Sequence, residues 1–83
     1  MKLNILYFAW VRERVGQSQE AYETSAATVA DLIFELVARD AGYAAAFVDL
    51  SAICVAVDQE LSDFTTSLVD CREVAFFPPM TGG

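Results

Sequence analysis

The sequence predicts an α+β domain of two layers, with one main helix laid across a sheet. Three observations predict it. Apolar residues alternate with others near both ends of the chain, at residues 2–9 and 73–77. One stripe of helical period occupies residues 29–37, and a β-branched apolar run at 52–57 leads into a polar turn.

Residues 2–9, KLNILYFA, read as a strand with Leu3, Ile5 and Tyr7 on one face and Asn4, Leu6 and Phe8 on the other. Both faces are largely apolar, which places the strand centrally in the sheet. Residues 10–15 form a short helical turn before Gly16, and residues 20–24 a weaker strand around Tyr22, so the first hairpin has a long connection. Thr28 caps the clearest helix, with Asp31 at the capping-box position and Val29, Leu32, Ile33, Leu36 and Val37 as its buried stripe. Gly42 is the expected stop. Residues 43–48 add a helical turn, and residues 52–57 form a strand that turns at Asp58-Gln59-Glu60. Residues 61–64 are a short edge candidate, Asp70-Cys71-Arg72 a second turn, and residues 73–77 the final strand. The sheet therefore has four to five strands.

At 83 residues the chain is one domain, and its 55% apolar content exceeds what one small core absorbs, which predicts a partner surface. No apolar run approaches the roughly 18 residues of a membrane span, and Met1-Lys2 leads into a strand, so the expectation is a soluble, cytoplasmic chain without membrane contact. There is no His, and Cys54 and Cys71 have neither metal nor redox spacing, which argues against a zinc site or a Cys/His nucleophile. Cys54 reads as a buried core thiol and Cys71 as an exposed turn thiol. Net charge is −7, and three of the five basic residues, Lys2, Arg12 and Arg14, lie near the start. Such a surface repels phosphate backbones and predicts no nucleic-acid partner. It suits a basic protein.

The end, Glu73 to Gly83, reads EVAFFPPMTGG. Pro78-Pro79 removes two backbone donors and favours an extended course, so residues 1–77 are expected to form the domain and residues 78–83 an extended tail. Six extended residues reach about 20 Å, enough to enter another protein's pocket. Gly82-Gly83 has no Cβ, so it can thread a narrow channel and present the main-chain carboxylate unhindered. A carboxylate is a poor electrophile, and a second protein must activate it as an acyl phosphate or adenylate. The domain then acts as a carrier; the competing class is an interaction module with an inert tail.

The stretches Tyr7-Phe8-Ala9-Trp10-Val11-Arg12-Glu13 and Glu73-Val74-Ala75-Phe76-Phe77-Pro78-Pro79-Met80-Thr81-Gly82-Gly83 resemble the small-subunit family of molybdopterin synthase, ubiquitin-like sulfur carriers. The resemblance implies a β-grasp fold with the first and last strands paired at the sheet centre. It implies that a ubiquitin-activating-like adenylyltransferase uses ATP to adenylate Gly83, that sulfur gives a thiocarboxylate there, and that this donates sulfur to cyclic pyranopterin monophosphate. The chain alone would bind no cofactor and would not be an enzyme. Its partner would be the large synthase subunit, in an assembly of two small and two large subunits, docked through Phe8, Leu61, Phe77, Pro78, Pro79, Met80, Thr81, Gly82 and Gly83. Arg12 is a further candidate contact. Related carriers for thiamine or transfer-RNA thiolation, and ubiquitin-like modifiers, share the diglycine. The chain departs from the family at Asp58, where Asn is common, at Met80, where a β-branched residue is usual, and at Cys71, which replaces a turn glycine and would be strained if the turn needs positive φ there.

Overall fold

A computed structural model describes residues 1–79. The elements are β1 (Lys2–Tyr7), α1 (Ala9–Val15), β2 (Gln19–Glu23), α2 (Val29–Arg39), α3 (Ala41–Ala46), a 3-10 turn (Leu50–Ala52), β3 (Cys54–Val57), β4 (Glu60–Ser62) and β5 (Glu73–Phe77). The sheet order is β2-β1-β5-β3-β4. β1 and β5 are parallel at the centre, with Ile5 opposite Val74 and Tyr7 opposite Phe76, and the other neighbours are antiparallel. The five strands fall within the expected four to five, and the first and last strands pair at the centre as the resemblance implies.

The sheet has two unlike faces. Leu3, Ile5 and Tyr7 of β1, Val55 and Val57 of β3, and Val74 and Phe76 of β5 are buried with Val29, Leu32, Ile33 and Leu36 of α2. Phe76 is the hub: its ring lies 6.2 Å from that of Tyr7 and 4.9 Å from that of Phe47. Thr28 caps α2 as expected, its Oγ1 accepting from the Asp31 backbone N–H at 3.3 Å. Two more N-terminal donors of α2 reach the loop before β5: Val29 N–H donates to Thr66 O and Ala30 N–H to Phe64 O. Val37, expected in the stripe, lies at its margin and is 36% exposed.

Gly42 does not stop α2. That helix ends at Arg39, and Asp40 breaks it with extended backbone while accepting from the Gly42 N–H at 2.7 Å to start α3. Gly42 is small because α3 crosses close to α1: a Cβ there would lie 2.8 Å from the Arg14 carbonyl oxygen. Gly42→Ala is therefore expected to lower unfolding free energy by about 1–3 kcal/mol, through overpacking against backbone. Urea unfolding checks this; an unchanged midpoint would contradict the close approach.

The turn before β5 departs from expectation as well. Its positive φ falls on Asp70, at 62°, and Cys71 is not among the residues with positive φ. Asp tolerates the left-handed region better than most residues, so Cys71 carries no turn strain. Rather than an exposed thiol, Cys71 is part of the core at 7% exposure. Burial, and then the negative charge of Asp58, push its thiol pKa up and suppress the thiolate. Cys54 is the reverse case: expected in the core, it is only half-buried. Strand alternation explains this, because Val55 and Val57 take the helix side of β3.

Candidate carrier tail and docking face

The side of the sheet away from α2 is open. Cross-strand register lines up Gln19, Leu6, Ala75, Ala56 and Leu61, one residue from each strand in spatial order. Small residues at the middle of this row keep the surface low between Leu6 and Leu61, and Leu61 is 77% exposed on the outer strand. In the next row Phe77 stands opposite Cys54, and both are half-buried. Phe8 follows β1 as the residue preceding α1, is 47% exposed, and donates its backbone N–H to Phe76 O at 3.1 Å. Parallel register thus brings Phe8 beside the end of β5.

The candidate contacts Phe8, Leu61 and Phe77 accordingly share the open side, with Phe8 and Phe77 at the end of the sheet where β5 finishes. Pro78 is half-buried and Pro79 exposed, and neither belongs to a strand. The candidates Met80, Thr81, Gly82 and Gly83 lie outside the described residues. Arg12 sits on α1 with an exposed side chain four residues after Phe8, so the two share one side of the helix start. Arg14 is engaged elsewhere: its guanidinium lies 4.5 Å from the Trp10 ring centroid and donates to Ala45 O at 3.4 Å.

A polar cluster behind this end of the sheet was not foreseen from the sequence. Glu20 Oε2 accepts from Tyr7 Oη at 2.8 Å and Tyr43 Oη at 2.6 Å, and Glu20 Oε1 accepts from Arg39 Nη1 at 3.2 Å. Gln17 Nε2 donates to Tyr43 Oη at 2.9 Å. The Arg39 guanidinium also lies 4.8 Å from the Tyr22 ring and 5.0 Å from the Tyr43 ring. Burial alone would raise the Glu20 carboxyl pKa, but donation from Tyr43, Tyr7 and Arg39, with the Arg39 charge, outweighs it and leaves the carboxyl below its ordinary value. Burial and the bond to Glu20 push the Tyr7 phenol strongly upward, so it remains a donor. The cluster joins β1, β2, α2 and α3, and fixes Tyr7 against Phe76 one residue before Phe77. The one signal for it in the sequence is the hairpin, which places Glu20 on the same face as Tyr7.

A family model described as the ThiS family matches residues 5–83. The molybdopterin synthase sulfur carrier subunit of Escherichia coli (strain K12) is 40% identical over 81 residues, covering 98% of this chain and 99% of that protein. Among solved structures, SAMP1 from Haloferax volcanii superposes with a TM-score of 0.79 at 22% identity, covering all of both chains. A chain from the protein–protein complex of subunits 1 and 2 of molybdopterin-converting factor from Helicobacter pylori 26695 gives a TM-score of 0.66 at 20% identity, again over all of both chains. These two likenesses show the ubiquitin-like β-grasp fold. By the family match and the end-to-end relative, the chain belongs to the ThiS family.

Proposed function

We propose that this protein is the sulfur-carrying subunit of a molybdopterin synthase and that its reactive group is the carboxylate of Gly83. The observation that carries the reading is the end-to-end 40% identity to a molybdopterin synthase sulfur carrier subunit. The FFPP sequence leading to the diglycine supports it. An adenylyltransferase joins the Gly83 carboxylate to AMP, releasing pyrophosphate from ATP. A sulfur nucleophile then displaces AMP and leaves a thiocarboxylate. The tail delivers that sulfur to cyclic pyranopterin monophosphate inside the large subunit, in the cytoplasm, and the small subunit supplies no general acid or base of its own.

The β-grasp body would serve this chemistry as a handle. Leu6, Leu61, Phe77 and Phe8 offer an apolar surface next to the tail root, and the complex captured for the Helicobacter pylori fold neighbour supports docking of a second subunit. Leu61→Arg tests the handle, because Leu61 is exposed and its replacement leaves the core intact. Burying an unpaired charge in the contact is expected to weaken binding to the large subunit by about 3 kcal/mol, over a hundredfold. Titration calorimetry reads the loss, with the thermal midpoint of the free variant unchanged. Binding like the wild type would remove the open face from the account.

A further inference from the structure

Among the described residues, four other than glycine have positive φ: Ala9 at 52°, Asp58 at 51°, Gln59 at 70° and Asp70 at 62°. Three of them have a reason in the fold. Asp58 and Gln59 form the two-residue turn between β3 and β4, where a tight hairpin favours positive φ at both positions. Asp58 is also held through its side chain, whose Oδ1 accepts from the backbone N–H groups of Arg72 at 2.8 Å and Glu73 at 2.9 Å. Asp70 is of a type that tolerates this region. Ala9 differs from all three: it has no polar side chain to hold it there, and it is exposed, so burial of its methyl group does not offset the strain.

The strain falls on the corner that carries Phe8. Phe8 has extended backbone, at φ −124° and ψ 154°, and follows the core residue Tyr7, so strand alternation turns its side chain to the open side of the sheet. Val11, three residues later, is fully buried. The chain therefore crosses from the open side to the core within one turn, and Ala9 makes the bend. Both flanks are tied. Phe8 N–H donates to Phe76 O at 3.1 Å, and Phe8 O accepts from Val11 N–H at 3.1 Å and Arg12 N–H at 3.3 Å. Ala9 thus cannot relax into the regions it prefers, and the small left-handed well open to a residue with a Cβ admits little drift. Glycine would remove the strain, but its positive-φ range is broad and would let the corner swing.

We infer that Ala9 is a positioning residue for docking: its left-handed backbone holds Phe8 in one orientation beside the end of β5, and the strain is kept for that fixity. A ring already in place on the free protein gives up less freedom when a partner covers it. The inference rests on the reading that Phe8 docks against the large subunit.

Titration calorimetry with the large synthase subunit tests it, on full chains assembled by chemical synthesis so that D-alanine can be placed at position 9. Replacing Ala9 with D-alanine keeps positive φ without strain, and is expected to raise the thermal midpoint by about 4–8 °C while Kd stays within about twofold of the wild type. Ala9→Gly is expected to leave the midpoint no lower, yet to weaken binding by about three- to tenfold, the cost of ordering a loosened corner. Phe8→Ala is expected to weaken binding more than tenfold, as the loss of an aromatic anchor. Added to Phe8→Ala, Ala9→Gly should cost no further affinity, because Ala9 acts through Phe8; a purely structural role would leave its effect unchanged. Wild-type affinity in Ala9→Gly, or a Gly penalty that persists without Phe8, would overturn the inference. So would loss of affinity with D-alanine, which would make the methyl group itself the contact. These outcomes leave the docking of Phe8 standing, whereas wild-type affinity in Phe8→Ala would remove that reading and the inference with it.

Discussion

Glu20→Ala is expected to lower the unfolding free energy by about 3–5 kcal/mol, a large part of the 5–15 kcal/mol typical of a small domain. The side chain is only 11% exposed and accepts from two tyrosines and an arginine. Its removal strands the Tyr7 and Tyr43 hydroxyls and leaves Arg39 without its ion pair, so the loss includes their desolvation. Urea unfolding should show a lower midpoint with an unchanged slope. Glu20 also sets a sign for acid sensitivity. Its folded pKa lies below the ordinary value of 4.5, so its stabilisation is complete above that value and is lost as pH falls through the depressed folded pKa. Glu20→Gln should flatten this part of the acid limb relative to the wild type. Equal acid slopes in the two proteins would mean that the cluster is not held by the carboxylate charge.

Deleting Gly83 is expected to reduce adenylation to background while leaving the thermal midpoint unchanged. The reasoning is steric and chemical: the shortened chain ends on Gly82, one residue, about 3.5 Å, short of the activating centre. A displacement of about 1 Å can already lower a rate a hundredfold. ATP–pyrophosphate exchange with the activating enzyme measures the effect. Exchange at the wild-type rate would show that the enzyme does not read the terminal position, and that the diglycine is not the working end.

Much of this molecule was legible because its signals are local. The Thr28 cap with the stripe Val29, Leu32, Ile33 and Leu36 specifies α2, and alternation in β1 and β5 specifies which side chains meet it. Phe8, Leu61 and Phe77 were named as docking residues through the family resemblance, and their common side of the sheet follows from a strand order that propensity cannot supply. The failures arose where a residue answers to a distant neighbour. Gly42 looks like a helix stop until α1 passes within contact distance of it. Cys71 replaces a turn glycine without strain because the left-handed residue is Asp70, and its side chain turns into the core. Cys54 falls on the open face by one step of strand register. Glu20 was passed over because its partners come from β1, α2 and α3, and none is near it in sequence.

The central claim is that sulfur is carried on the terminal carboxyl group and on no side chain. The most direct measurement is the intact mass of the protein after incubation with ATP, the activating enzyme and a sulfur donor, with fragmentation to locate any change. The predicted result is a gain equal to one sulfur less one oxygen, confined to Gly83 and absent from the chain lacking it. An unchanged mass, or sulfur located on Cys54 or Cys71, would contradict the account.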